Sequence, residues 1–163
     1  MKWVWIILGS LAAIVALMAT SGALLPVSHV AARRARFRQG PAAIWTAISR
    51  NGEKTFREDD VNYEVLAAVP ERRFVTRIAD RNLPYGGTWV YTIDPEPGGS
   101  FLEIEERGEV YNPIFRFISR FVMGHTATID TSLRALAKRF GERIVIEDVR
   151  IEDARAEDQP AAR

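Results

Sequence analysis

The sequence contains no cysteine, which excludes disulfides and thiolate metal sites. It also has almost no net charge, with 22 basic and 21 acidic side chains leaving +1 over 163 residues. No broad field draws such a chain to nucleic acid, and no nucleic-acid partner is expected. Histidine is scarce, with only His29 and His125, far apart in the chain. There is no HExxH pattern and no nucleophile elbow, so neither a zinc hydrolase nor a Ser-His-Asp hydrolase is indicated. The glycine pairs of "PYGGTW" and "EPGGS" lie in loops between strand-like runs, not ahead of a helix, and make poor phosphate cradles. Asp59 and Asp60 fall in a turn and read as a solvated loop. No metal and no cofactor are expected.

Trp3 to Leu25 lacks charge altogether. A helical run of that length spans a hydrocarbon core of about 30 Å. Trp3 and Trp5 sit at one end, where indoles favour the membrane interface, and Pro26 closes the other. A cleaved signal peptide is the competing reading, with Lys2 as its basic start and small residues from Ala19 to Ala23. The apolar run is longer than a typical signal core, so an uncleaved anchor in the cell (inner) membrane is preferred. Arg33, Arg34, Arg36 and Arg38 follow the span, and only Lys2 precedes it. The positive-inside rule then places the soluble domain in the cytoplasm.

The rest of the chain is one domain of ordinary size, with expected divisions 1–27 anchor, 28–151 folded domain and 152–163 disordered tail. Ser28 to Arg38 alternates as a strand with Ala31, Arg33, Ala35 and Phe37 on one face. Pro41 suits the first turn of a short helix carrying Ile44, Trp45 and Ile48. Strand-like runs follow at Lys54–Glu58, Val61–Ala68, Arg72–Asp80, Thr88–Ile93 and Phe101–Val110. The turns between them are too short for parallel crossovers, so they form an antiparallel meander. One long helix is then expected from an Asn112 cap to Gly141, with a short extra strand in "ERIVIEDVRIED". A sheet with helices on one face is an α+β architecture.

Stepping the long helix at about 100° per residue puts Ile118, Phe121, Val122, Ile129, Leu133, Leu136 and Phe140 on one stripe. His125 falls inside that stripe. Strand parity turns Glu106 inward with Leu102 and Ile104, and Arg33 inward with Ala31 and Phe37. Glu106, His125 and Arg33 could therefore meet in a cavity, His125 and Glu106 being the candidates for acid–base chemistry. The alternatives are a hydrogen-bonded core histidine and two charged groups reaching water at the rim. Trp89 and Tyr91 share a face with Ile93, which suits a cavity wall or a plain core. Phe121 and Ile129 complete the set of candidate ligand-lining residues.

Three stretches resemble the SRPBCC superfamily, the START-like, polyketide cyclase/dehydrase and birch-pollen-allergen group. "HVAARRARFRQGPAAIWTAIS" resembles its first strand and "P-x-x-x-W" helix. "RFVTRIADRNLPYGGTWVYTI" resembles the middle strands of a membrane-tethered branch. "EIEERGEVYNPIFRFISRFVMGHTATIDTSLRALAKRFGE" resembles that branch's last strand and C-terminal helix. The resemblance implies a helix-grip fold, in which a curved antiparallel sheet wraps a long C-terminal helix around a cavity for a hydrophobic ligand. It implies no single activity. One departure is the brevity of "SRNGEKTFREDD", where the family has a longer helical segment and a further strand; it predicts a depleted sheet and an open or collapsed cavity. Three functions follow, in order: a membrane-anchored module for a hydrophobic small molecule or lipid, a cyclase/dehydratase-type enzyme using His125 and Glu106, and a tethered interaction domain with a filled core.

Overall fold

A computed structural model describes residues 2–58 and 60–149 of the protein. The expected tail at 152–163 lies outside the described residues, as does Asp59. Helix α1 (Lys2–Ala23) precedes strand β1 (Ser28–Phe37) and helix α2 (Pro41–Ile48). The meander follows as β2 (Thr55–Glu58), β3 (Val61–Val69), β4 (Arg73–Ile78), β5 (Tyr85–Glu96) and β6 (Gly99–Val110). The chain closes with α3 (Pro113–Ile118), α4 (Ala127–Arg139) and β7 (Ile146–Asp148).

The strands form one antiparallel sheet in the order β2-β3-β4-β5-β6-β1-β7. The meander is built from neighbours in sequence, and β1 then returns to pair with β6, from Ser28 opposite Glu109 to Phe37 opposite Ser100. β7 pairs on the free side of β1, with Arg33 opposite Asp148. β5 and β6 are longer than their apolar runs suggest. The glycines of "PYGG" are inside β5, and the hairpin turns on Pro97 and Gly98 alone, Gly98 at φ 77°. Proline followed by a residue at positive φ is the chemistry of a tight type II turn. The short segment after Ser49 still supplies an edge strand, because the four residues of β2 pair with Val61–Glu64. The sheet is therefore not left short there.

α2 and α4 cover one face of this sheet. The core is Ala31, Ala35 and Phe37 of β1, Ile44 of α2, Ile93 of β5, Leu102 and Ile104 of β6, and Ile129, Leu133 and Ala137 of α4. The i, i+4, i+8 spacing of the α4 residues places them on one stripe, and Ile129 and Leu133 are fully buried. This is the helix-grip arrangement.

The long helix is not continuous. α3 ends at Ile118, and Ser119–Met123 forms a wider π turn closed by Gly124 N–H donating to the Ser119 carbonyl at 3.0 Å. Gly124 then adopts φ 75°, ψ 149°, a conformation essentially restricted to glycine. The chain leaves the helical path there and re-enters it at Ala127. The stripe expected from Ile118 to Phe140 therefore holds only from Ile129 onward. Phe121 and Val122 are 63% and 72% exposed, so they are not core.

Candidate functional site

Among the described residues lie two cavities of about 290 Å³ each, at different levels of the sheet. The first lies between the sheet, α2 and α4. Phe74, Tyr91, Leu102, Ile104 and Leu136 give it an apolar wall. Arg50, Glu58, Ser132 and Arg139 give it polar points, with Arg50 Nη2 and Glu58 Oε2 paired at 2.5 Å. Tyr91 reaches this wall because it shares a face with Ile93 along β5 and packs beside Phe74, with ring centroids 5.9 Å apart. Burial holds its hydroxyl well above the usual phenol range. Trp89 packs partly buried against the same core and leans on Tyr91 at 6.1 Å.

The second cavity lies nearer α1. Leu25, Pro26 and Val27 form one side, and Arg116, Ser119, Arg120 and His125 the other. His29 and His125 meet here, their rings stacked with centroids 3.9 Å apart and planes 22° apart. His29 Nε2 lies 3.9 Å from Glu106 Oε1, close enough for charge to be felt but too long for a hydrogen bond. Ser119 Oγ is 3.4 Å from His125 Nδ1. The break at Gly124 is what positions His125, which sits in the turn ahead of α4 and not on a helix face.

Gly108 makes this contact possible. It is paired opposite His29 on β1, and a Cβ at Gly108 would overlap the His29 ring and stand 3.1 Å from Glu106 Oε1. The absence of a side chain there lets the imidazole lie flat over the strand.

The electrostatics of the cluster follow from burial. Glu106 Oε2 is buried without a hydrogen-bond partner, and burial pushes the carboxyl up to about 7. Burial, with a smaller contribution from His125, holds His29 down to about 4. His125 is lowered too, first by burial and then by the charge of Arg120. Near neutral pH the cluster therefore holds two uncharged imidazoles beside a carboxyl that is partly protonated. Such a group can donate or accept a proton, and it disfavours a net charge.

The expected residues divide accordingly. Glu106 and His125 lie on either side of His29. Arg33 turns elsewhere. Its Nε is 3.2 Å from Asp130 Oδ1, it also pairs with Asp148, and its Nη2 donates to Thr126 Oγ1 at 3.3 Å. It thus ties β1 to α4 and β7. Trp89 and Tyr91 lie on the inner face, and Ile129 is core. Phe121 is exposed and touches Phe117, with centroids 4.9 Å apart. The sequence reading did not place His29 at the site, although its parity with Ala31 and Arg33 marks the inward face. It also missed Ser132 and Arg139, whose i, i+7 spacing puts both on one side of α4.

No family model matches the chain, and no curated protein matches it. Solved structures do match at the level of fold. The Aha1 dimer from Colwellia psychrerythraea is 14% identical, with 66% of this chain and 92% of that one covered and a TM-score of 0.48. CalU16 from Micromonospora echinospora is 17% identical over 49% of this chain, with a TM-score of 0.43; the match spans 59% of CalU16. The polyketide-cyclase-like protein Cgl2372 from Corynebacterium glutamicum is 18% identical, with 72% and 86% of the two chains covered and a TM-score of 0.38.

Proposed function

We propose that the protein is a membrane-anchored module that binds a hydrophobic small molecule or lipid between its sheet and α4. The observation that carries this reading is the cavity walled by Phe74, Tyr91, Leu102, Ile104 and Leu136. Apolar walls with a few convergent polar groups are the usual composition of a ligand pocket, and about 290 Å³ is near the lower end of such volumes. The occupant is therefore small, or projects from the mouth. α1 is the anchor, being 22 residues long and without charge after Lys2. At about 1.5 Å per residue it reaches about 33 Å. The domain lies on the cytoplasmic side, with the basic flank of β1 next to the span.

The test is thermal unfolding of the full chain with a panel of fatty acids, sterols and polyketide-like aromatics, beside Ser132→Phe, which fills the cavity from α4. A ligand at about a hundredfold its Kd stabilises by about 2.7 kcal/mol, or several degrees in Tm. The expected result is a rise in the parent and none in the variant. Equal responses, or no response in either, would overturn the reading.

A second reading is supported by the cluster of His29, Glu106 and His125. A carboxyl held near 7 beside neutral imidazoles is suited to general acid–base work, as a cyclase or dehydratase would require of Glu106 and His125. His29 and His125 line the cavity nearer α1 and not the apolar one, and Glu106 lines neither, so binding is the better supported function.

A further inference from the structure

α3 and the π turn that follows it hold the largest apolar exposure among the described residues outside α1. Phe115, Phe121, Val122 and Met123 are 51%, 63%, 72% and 62% exposed. A domain that met only water there would leave three apolar side chains in a row, Phe121, Val122 and Met123, without cover. The segment is not apolar all round. Arg120 is exposed, and Arg116 donates to the carbonyls of Leu25 at 2.8 Å and Tyr111 at 3.1 Å.

Its position relative to α1 is fixed by packing. Gly22, the buried residue of α1, lies against Pro113, and a Cβ there would overlap the Pro113 carbonyl. Arg116 binds the chain three residues further on, at Leu25. Val110 N–H donates to the Val27 carbonyl at 2.9 Å, so the linker is held to the end of β6 as well. The last turn of α1, where an apolar span of this length leaves the hydrocarbon core, is therefore level with α3. No free linker separates the exposed aromatics from the plane of the leaflet.

We propose that Pro113–Met123 is an in-plane membrane element, with Phe115, Phe121, Val122 and Met123 inserted at the headgroup–acyl boundary of the leaflet that α1 enters. The proposal rests on the reading of α1 as a membrane span. A short segment with exposed aromatic and aliphatic residues and an arginine among them is the composition of an interfacial anchor. Arg120 then stands at headgroup level, where an anionic lipid offers a partner. The π turn has a specific consequence, since the residue it adds shifts the helical phase and leaves Phe121 and Val122 exposed instead of in the stripe of α4. The cavity holding His29 and His125, walled by Leu25 and Arg120, opens beside this boundary.

The absence of native cysteine allows a direct test. Nitroxide labels are placed on the full chain at Phe121→Cys and Met123→Cys, with Leu11→Cys in α1 and Glu71→Cys in the β3–β4 turn as references. The protein is reconstituted in vesicles of phosphatidylcholine with phosphatidylglycerol. Power saturation with oxygen and with a water-soluble nickel chelate reads the depth of each label. The expected result is a deep Leu11 label, labels at 121 and 123 just below the phosphates, and a Glu71 label in water. Labels at 121 and 123 as water-accessible as Glu71, with Leu11 deep, would overturn the in-plane element and leave the anchor standing. A Leu11 label in water would overturn both.

Discussion

At the scale of residues, the site depends on a carboxyl that the fold refuses to solvate. Glu106 faces inward because it shares a strand face with Leu102 and Ile104, and this parity was legible in the sequence. Its neighbour was not. His29 reaches Glu106 only because β1 returns to β6 with His29 opposite Gly108, a register that no local pattern encodes. The glycine at 108 looks unremarkable in sequence and becomes specific once the ring is placed over it. The two groups titrate in opposite senses. Glu106 is raised from 4.5 to about 7, so its contribution to stability is present below about 4.5 and is lost as pH rises through about 7. His29 is lowered from 6.5 to about 4, so its contribution is present above about 6.5 and is lost as pH falls through about 4. Between those limits they offset. Glu106→Gln removes only the first effect. We expect the variant to exceed the parent in stability by roughly 1–3 kcal/mol at about pH 8 and to keep the acid limb. Urea denaturation across pH measures this, and parallel profiles for the two proteins would show that Glu106 is not held protonated.

At the scale of elements, the C-terminal half of the expected stripe was legible and the N-terminal half was not. Ile129, Leu133 and Leu136 recur at helical spacing, and α4 buries the first two and packs Leu136 partly buried against the core. Extending the same phase back to Ile118 assumes an unbroken helix. The π turn and Gly124 change the phase and then the direction, so Phe121 and Val122 leave the stripe. Sequence composition offers Gly124 as a hint but not its φ. This element also yields a stability prediction. An L side chain at φ 75°, ψ 149° costs on the order of 1–3 kcal/mol. Gly124→Ala, whose Cβ meets nothing within 4 Å, is therefore expected to lose that amount through backbone strain alone. Chemical denaturation measures it. A variant as stable as the parent would mean that the break relaxes readily into continuous helix.

At the scale of the whole molecule, the order of elements was readable from turns and periodicity, and the strand order only in part. A meander of short connections fixes β2 to β6 as neighbours. The return of β1 to β6 and the addition of β7 are long-range pairings, set by what the core requires. Cavities are less legible still, because they are spaces left when side chains from distant elements fail to meet. The short segment after Ser49 predicts a depleted sheet, yet β2 forms, and Phe56 and Glu58 from it help to line the cavity. The claim that this cavity holds a ligand is tested most directly by native mass spectrometry of the full chain, released from detergent after purification from cells. The account predicts a discrete adduct of one hydrophobic small molecule or lipid, present on the parent and missing from Ser132→Phe. A clean apo mass for the parent, or the same adduct on both proteins, would contradict it.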